Sequence, residues 1–132
     1  MDMDDGCMSP EPVAPRPLNS SERAVLECVL AADFADAPAL RSQLERTEMV
    51  AVWAPGSVSV DLRVREPVRR AAMASELVPV DAHVLDRSGE YVGELLVWTD
   101  EGATLAALEY AWVTDDMPTV LPTVDEVRIS TR

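Results

Sequence analysis

Apolar residues recur along this chain with two different periods. Between residues 20 and 46 the spacing is helical. Val25, Leu26, Val29 and Leu30 fall at i, i+1, i+4 and i+5, which gathers them on one stripe. Asn19 stands at an N-cap position, and Glu22, three residues on, completes the capping-box spacing. A helix is therefore expected over Ser20 to about Ala32. Asp36 is placed to cap a second helix, with Pro38 in its first turn and Leu40 and Leu44 four apart, giving about Ala37 to Arg46. The link AADFAD is short, so the two helices form a hairpin or bent pair with Phe34 as the plug between them.

From Met49 onward the period shortens to two. Met49 to Ala54 reads as a strand, and Pro55-Gly56 is a turn signal. Val58, Val60, Leu62 and Val64 alternate with Ser59, Asp61 and Arg63, the pattern of an antiparallel strand with one wet face. Arg65 to Glu76 is a basic, loop-like or briefly helical excursion, and Val80 to Leu85 alternates again.

The largest aromatic block, Glu90 to Asp115, reads as one long β-hairpin reversing at Asp-Glu-Gly-Ala. With Asp100 facing Ala103, the pairs on one side are Tyr91–Trp112, Gly93–Tyr110, Leu95–Leu108 and Val97–Ala106, a wall that belongs against a core. The tyrosine ring would cover the glycine opposite it. The other side then carries Val92–Ala111, Glu94–Glu109, Leu96–Ala107 and Trp98–Leu105. Two glutamates face to face repel, so either an arginine (Arg63 or Arg65) bridges them, or the register is off by one, or the site wants negative charge. After Asp115, Pro118 and Pro122 forbid a regular central element. Thr123 to Glu126 has capping-box spacing for a short helix, while Val127 and Ile129 suit an edge strand; both readings stay open.

The expected fold class is α+β: two N-terminal helices packed on one face of an antiparallel sheet of about five strands. The expected core is Val25, Leu26, Val29, Leu30, Leu40, Leu44, Val60, Leu62, Val84, Leu95, Leu108, Tyr110 and Trp112. A chain of 132 residues suits one such domain. It is placed at 18–132, after a disordered, Pro-rich acidic tail at 1–17 that carries a weak PxxP match at Pro12 and Pro15.

Charge narrows the partners. The chain carries 24 acids against 11 bases, a net charge of −13, and every base is arginine. This argues against nucleic acid and anionic membrane as partners and permits a basic protein. Cys7 and Cys28 make neither a disulfide framework nor a zinc spacing. The N-terminus lacks an apolar leader, and no run approaches about 18 apolar residues. A cytoplasmic protein is the expectation by elimination.

Candidate chemistry is sparse. His83 is the single histidine, on the outward face of its strand, with Asp81 or Glu94 available as a partner for acid–base work. No nucleophile elbow, GxGxxG or Walker loop accompanies it. No catalytic residue, cofactor or metal is therefore expected. The Glu94–Glu109 pair is the sharpest constellation, as an acid–base pair or cation site. Between Arg87 and Arg128 there are nine acids and no base. The residues expected to form an interaction surface are Glu94, Trp98, Asp100, Glu101, Leu105 and Glu109.

The order LNSSERAVLECVLAADFADAPALRSQLE, AVWAPGSVSVDLRV, VDAHVLDRSGEYVGELLVW, LAALEYAW and DMPTVLPTVDEV resembles a family of small acidic uncharacterised proteins from high-GC bacteria, over about Leu18 to Glu126. Many such relatives carry a small cysteine cluster before the strand matching Ser57 to Val64. Trp53 to Ser57 holds no cysteine here, so a metal or redox role drawn from those relatives does not transfer. Some relatives resemble toxin-immunity proteins. The resemblance thus implies a non-enzymatic protein-interaction module binding a basic protein partner, immunity- or antitoxin-like. The alternative is a small-molecule-binding or enzymatic α+β domain with a pocket between helices and sheet, lined by Trp53, Trp98, His83 and Glu94. Homodimerisation through an edge strand or the wet sheet face is a third mode of association.

Overall fold

The computed structural model describes residues 10–131. Seven strands, β1 (Glu11–Pro17), β2 (Thr47–Val52), β3 (Val60–Val64), β4 (Val80–Leu85), β5 (Tyr91–Asp100), β6 (Thr104–Trp112) and β7 (Val127–Thr131), form one sheet in the order β1-β2-β3-β6-β5-β4-β7. All pairings are antiparallel. Two short helices, α1 (Ser20–Leu30) and α2 (Ala37–Ser42), pack on one face of it. The class is α+β as expected, but the sheet has seven strands where about five were anticipated.

Both additional strands are edges. β1 lies inside the segment read as a disordered tail, which corrects that reading for 11–17; residues 1–9, with Cys7, lie outside the described residues. Three prolines are tolerated in β1 because an edge strand needs donors on one side only. β1 is also pinned by charge. Arg16 donates from Nη1 and Nη2 to the two oxygens of Glu22, each at 2.9 Å. Glu22 is buried, and it also accepts from the Asn19 N–H while Asn19 Oδ1 accepts from the Glu22 N–H, so the expected capping box is complete. At the other edge, both readings of the terminus coexist: a 3-10 turn at Val124–Glu126 with a capping box, then β7.

The α2 segment departs from its sequence pattern. Asp36 stands at the N-cap as expected, but its side chain makes no cap hydrogen bond; its Oδ1 accepts from the Ala72 N–H at 3.0 Å. The helix stops at Ser42, and a 3-10 turn at Leu44–Arg46 follows. Gln43 sits at that break with its side chain fully buried. Its Nε2 donates to the Arg69 and Ala103 carbonyls, both at 2.9 Å, and its Oε1 accepts from the Leu105 N–H at 3.0 Å.

The core lies between α1, α2 and the inner sheet face. Leu26, Leu30, Leu40, Leu95 and Leu108 are each no more than 1% exposed. Twelve of the thirteen expected core residues are buried; Trp112, at 38% exposure, is not. Tyr91, expected on the core wall, is 45% exposed. Both stand at the open end of the hairpin, where the β4–β5 ladder shifts register between Val84 and Leu85 and the Tyr91 ring meets His83 of the outer face.

The hairpin reverses as expected, with Glu101 and Gly102 at positive φ (55° and 75°) and the Ala103 N–H donating to the Asp100 carbonyl at 3.0 Å. The ladder starts one residue off the expected register, with Asp100 paired to Thr104, and a bulge between Trp98 and Thr99 adds a second residue, giving Leu95↔Tyr110, Leu96↔Glu109 and Trp98↔Ala107. The cause sits on the tip. The 65–79 excursion lies against it, with Ala71 N–H donating to Ala103 O and Met73 N–H to Gly102 O. A Cβ on Gly102 would come within 2.3 Å of the Met73 carbonyl oxygen, so glycine is required there twice over.

Replacing Gln43 with leucine keeps the volume but orphans the Leu105 N–H and the Arg69 carbonyl. The Gln43→Leu chain is expected to lose roughly 2–4 kcal/mol of stability, read as a lower urea midpoint with an unchanged m value.

Candidate functional site: the open sheet face

Alternation sends every second residue of β2 to β7 away from the helices. Among the described residues no helix covers this face. Its centre is a row across three strands: Asp61 on β3 pairs with Ala107 on β6, and Ala107 pairs with Trp98 on β5. The indole N–H of Trp98 donates to Glu109 Oε1 at 3.0 Å, and that of Trp53 donates to Asp61 Oδ1 at 3.0 Å. Each tryptophan thus lies on the sheet with its single polar atom satisfied by a carboxylate. Leu96, opposite Glu109, fills the space beside Trp98 and is half-buried.

The face-to-face Glu94–Glu109 pair does not form. The two-residue shift places Ala111 opposite Glu94 and Leu96 opposite Glu109, so the expected repulsion is relieved by register rather than by a bridging cation. Arg63 and Arg65 pair with Glu48 instead, at 3.1 and 3.7 Å. Among the described residues no ion pair involves Glu94 or Glu109. Leu105 is corrected as well: the bulge turns it inward, and at 1% exposure it belongs to the core. Asp100 and Glu101 stand exposed at the tip as expected.

On its other side Glu94 pairs directly with His83 of β4, and Asp81 lies two residues along β4 on the same face. The ligand atoms of Asp81, His83 and Glu94 all lie within 4.8 Å of one another. The two acids named from sequence as alternative partners of His83 therefore converge on it together. The Tyr91 ring meets the imidazole edge-on, with centroids 5.3 Å apart at 79°. Partial desolvation against its neighbours, and secondarily the Glu94 carboxylate, push the phenol of the half-exposed Tyr91 above its ordinary pKa. The Asp-x-His spacing on an alternating strand was the one sequence signal for this cluster. Its third member depended on strand order, which periodicity does not carry.

Leucine side chains fill the centre of the helix–sheet interface, and a cleft opens between the start of α1, at Ser21 and Glu22, and the sheet at Val52 and Val60. Four clefts of about 280, 410, 300 and 400 Å³ indent the surface, and Trp53, Trp98, His83 and Glu94 line none of these four.

The Trp98–Glu109 hydrogen bond joins residues that are half-buried. A double-mutant cycle over Trp98→Phe and Glu109→Ala is expected to show a coupling of about 1 kcal/mol in thermal or urea unfolding.

Compared with protein-family models, curated proteins and solved structures, the chain matches none.

Proposed function

We propose that this chain is a non-enzymatic protein-interaction module that binds a basic protein partner through its open sheet face and hairpin tip, in the manner of an immunity or antitoxin-like protein. One observation carries the reading. The half-buried apolar centre of Leu96 and Trp98 is surrounded by the carboxylates of Asp61, Asp81, Glu94 and Glu109, with Asp100 and Glu101 beyond it at the tip. A desolvated apolar patch with a charged rim is the anatomy of a protein–protein contact. The sign of the rim selects a cationic partner and speeds its association. A second copy of this chain is a poor occupant, since each copy carries a net charge of −13. At the edges, the prolines of β1 blunt strand addition.

The test is affinity capture from the native host at low and high salt, with mass spectrometry. Wild-type chain is expected to retain a basic protein at low salt and release it at high salt. The Glu101→Lys/Glu109→Lys chain, folded by circular dichroism, is expected to lose that protein, while Asp33→Lys, off the face, keeps it. Capture that is indifferent to the double reversal, or no retention at low salt, would remove the proposal.

A further inference from the structure

We propose that Asp81, His83 and Glu94 form a binding site for a divalent first-row transition ion, of which zinc is the natural probe. The inference rests on sheet register and side-chain chemistry, independently of the partner reading above.

Three observations converge. First, the three residues are held by the ladder itself: His83 and Glu94 are directly opposed across β4 and β5, and Asp81 shares their face. Backbone pairing thus places all three Cα positions before any ion arrives. Second, the donor set is one imidazole nitrogen and two carboxylates, a mixture that suits zinc and its neighbours better than calcium or magnesium. The donor atoms already lie within 4.8 Å of one another. Metal bonds of about 2.0–2.2 Å hold ligand atoms roughly 3–3.5 Å apart, so side-chain rotations of order 1 Å close the site. Third, the surroundings do not compete for Glu94. Its β6 neighbour is Ala111, and its other neighbour on the ladder is His83 itself. Opposite His83 on β7 stands Arg128, whose Nη1 donates to the Asp125 and Val127 carbonyls at 2.7 and 3.3 Å. Ser130 lies opposite Asp81.

Around these ligands the Tyr91 ring meets the imidazole edge-on, and half-buried Leu96 flanks Glu94 along β5. Such a shell fixes ring orientation and limits water access. Three protein ligands leave further coordination positions open to solvent. Binding places a dication between two carboxylates of an acidic face and so reduces the local negative potential.

The experiment is a zinc titration of the chelator-treated full chain by calorimetry, paired with nitrogen NMR of the imidazole. His83 is the only histidine, so its signals need no assignment by mutation. One zinc per chain is expected, with the imidazole nitrogen signals shifting in step with the first equivalent. His83→Ala and Glu94→Gln are each expected to weaken binding by about tenfold or more, with their circular dichroism unchanged before zinc is added. Asp33→Asn and Cys7→Ser are expected to bind as wild type does. Imidazole signals that stay still through the first equivalent, or undiminished affinity in His83→Ala, would overturn the site and assign zinc uptake to scattered carboxylates.

Discussion

The structure depends on a short seam. β1-β2-β3 and β6-β5-β4-β7 are two antiparallel blocks, and the ladder between them consists of Val60↔Leu108 and Asp61↔Ala107. So brief a ladder would leave buried main-chain groups on β6 without partners at both ends, and such orphans are costly. Side chains complete it. Ser59 Oγ accepts from the Tyr110 N–H at 2.9 Å on one side. On the other, the amide of Gln43 takes the Leu105 N–H and the Ala103 carbonyl as a strand residue would. Gln43 does this from the break after α2, so the helix end, the 65–79 excursion and the hairpin bulge are tied at one buried point.

That point has consequences on the far side of the sheet. The bulge beside it turns Leu105 into the core and, together with the Asp100↔Thr104 pairing at the tip, moves the hairpin ladder by two residues. The same shift separates Glu94 from Glu109 and places Glu109 within reach of the Trp98 indole, while the β4–β5 ladder sets Glu94 opposite His83. The arrangement of Glu109 and Trp98 on the outer face is therefore a product of the hairpin register, and the three-residue ligand cluster a product of the β4–β5 register. A hairpin pairing Asp100 with Ala103 and lacking the bulge would carry an electrostatic conflict in the middle of this face; in the observed register Glu109 accepts from the Trp98 indole and Glu94 faces Ala111.

Much of the fold was legible in the sequence because the signals there are local. The capping box at Asn19 and Glu22, the stripe from Val25 to Leu30, the alternation of Val80 to Leu85 and the Glu101-Gly102 reversal each follow from a few consecutive residues, and each is present. Strand β1 was hidden because its prolines argue for disorder unless an edge is known to exist, and its anchor, Arg16 on Glu22, is a tertiary pairing. Asp36 carries a cap-like signal that the Ala72 N–H claims instead.

The candidate site divides along the same line. Alternation alone placed Glu94, Trp98 and His83 on the outer face, because side-chain direction in a strand follows from backbone geometry. Which residue opposes which was not contained in that periodicity. A shift of two residues preserves the faces of both strands, so no pattern of apolar and polar positions distinguishes the two ladders. A bulge changes face as well, as Leu105 shows. Those choices were made by groups distant in the chain: a buried amide at Gln43 with unmade hydrogen bonds on β6, and a main-chain loop at Met73 pressed against Gly102.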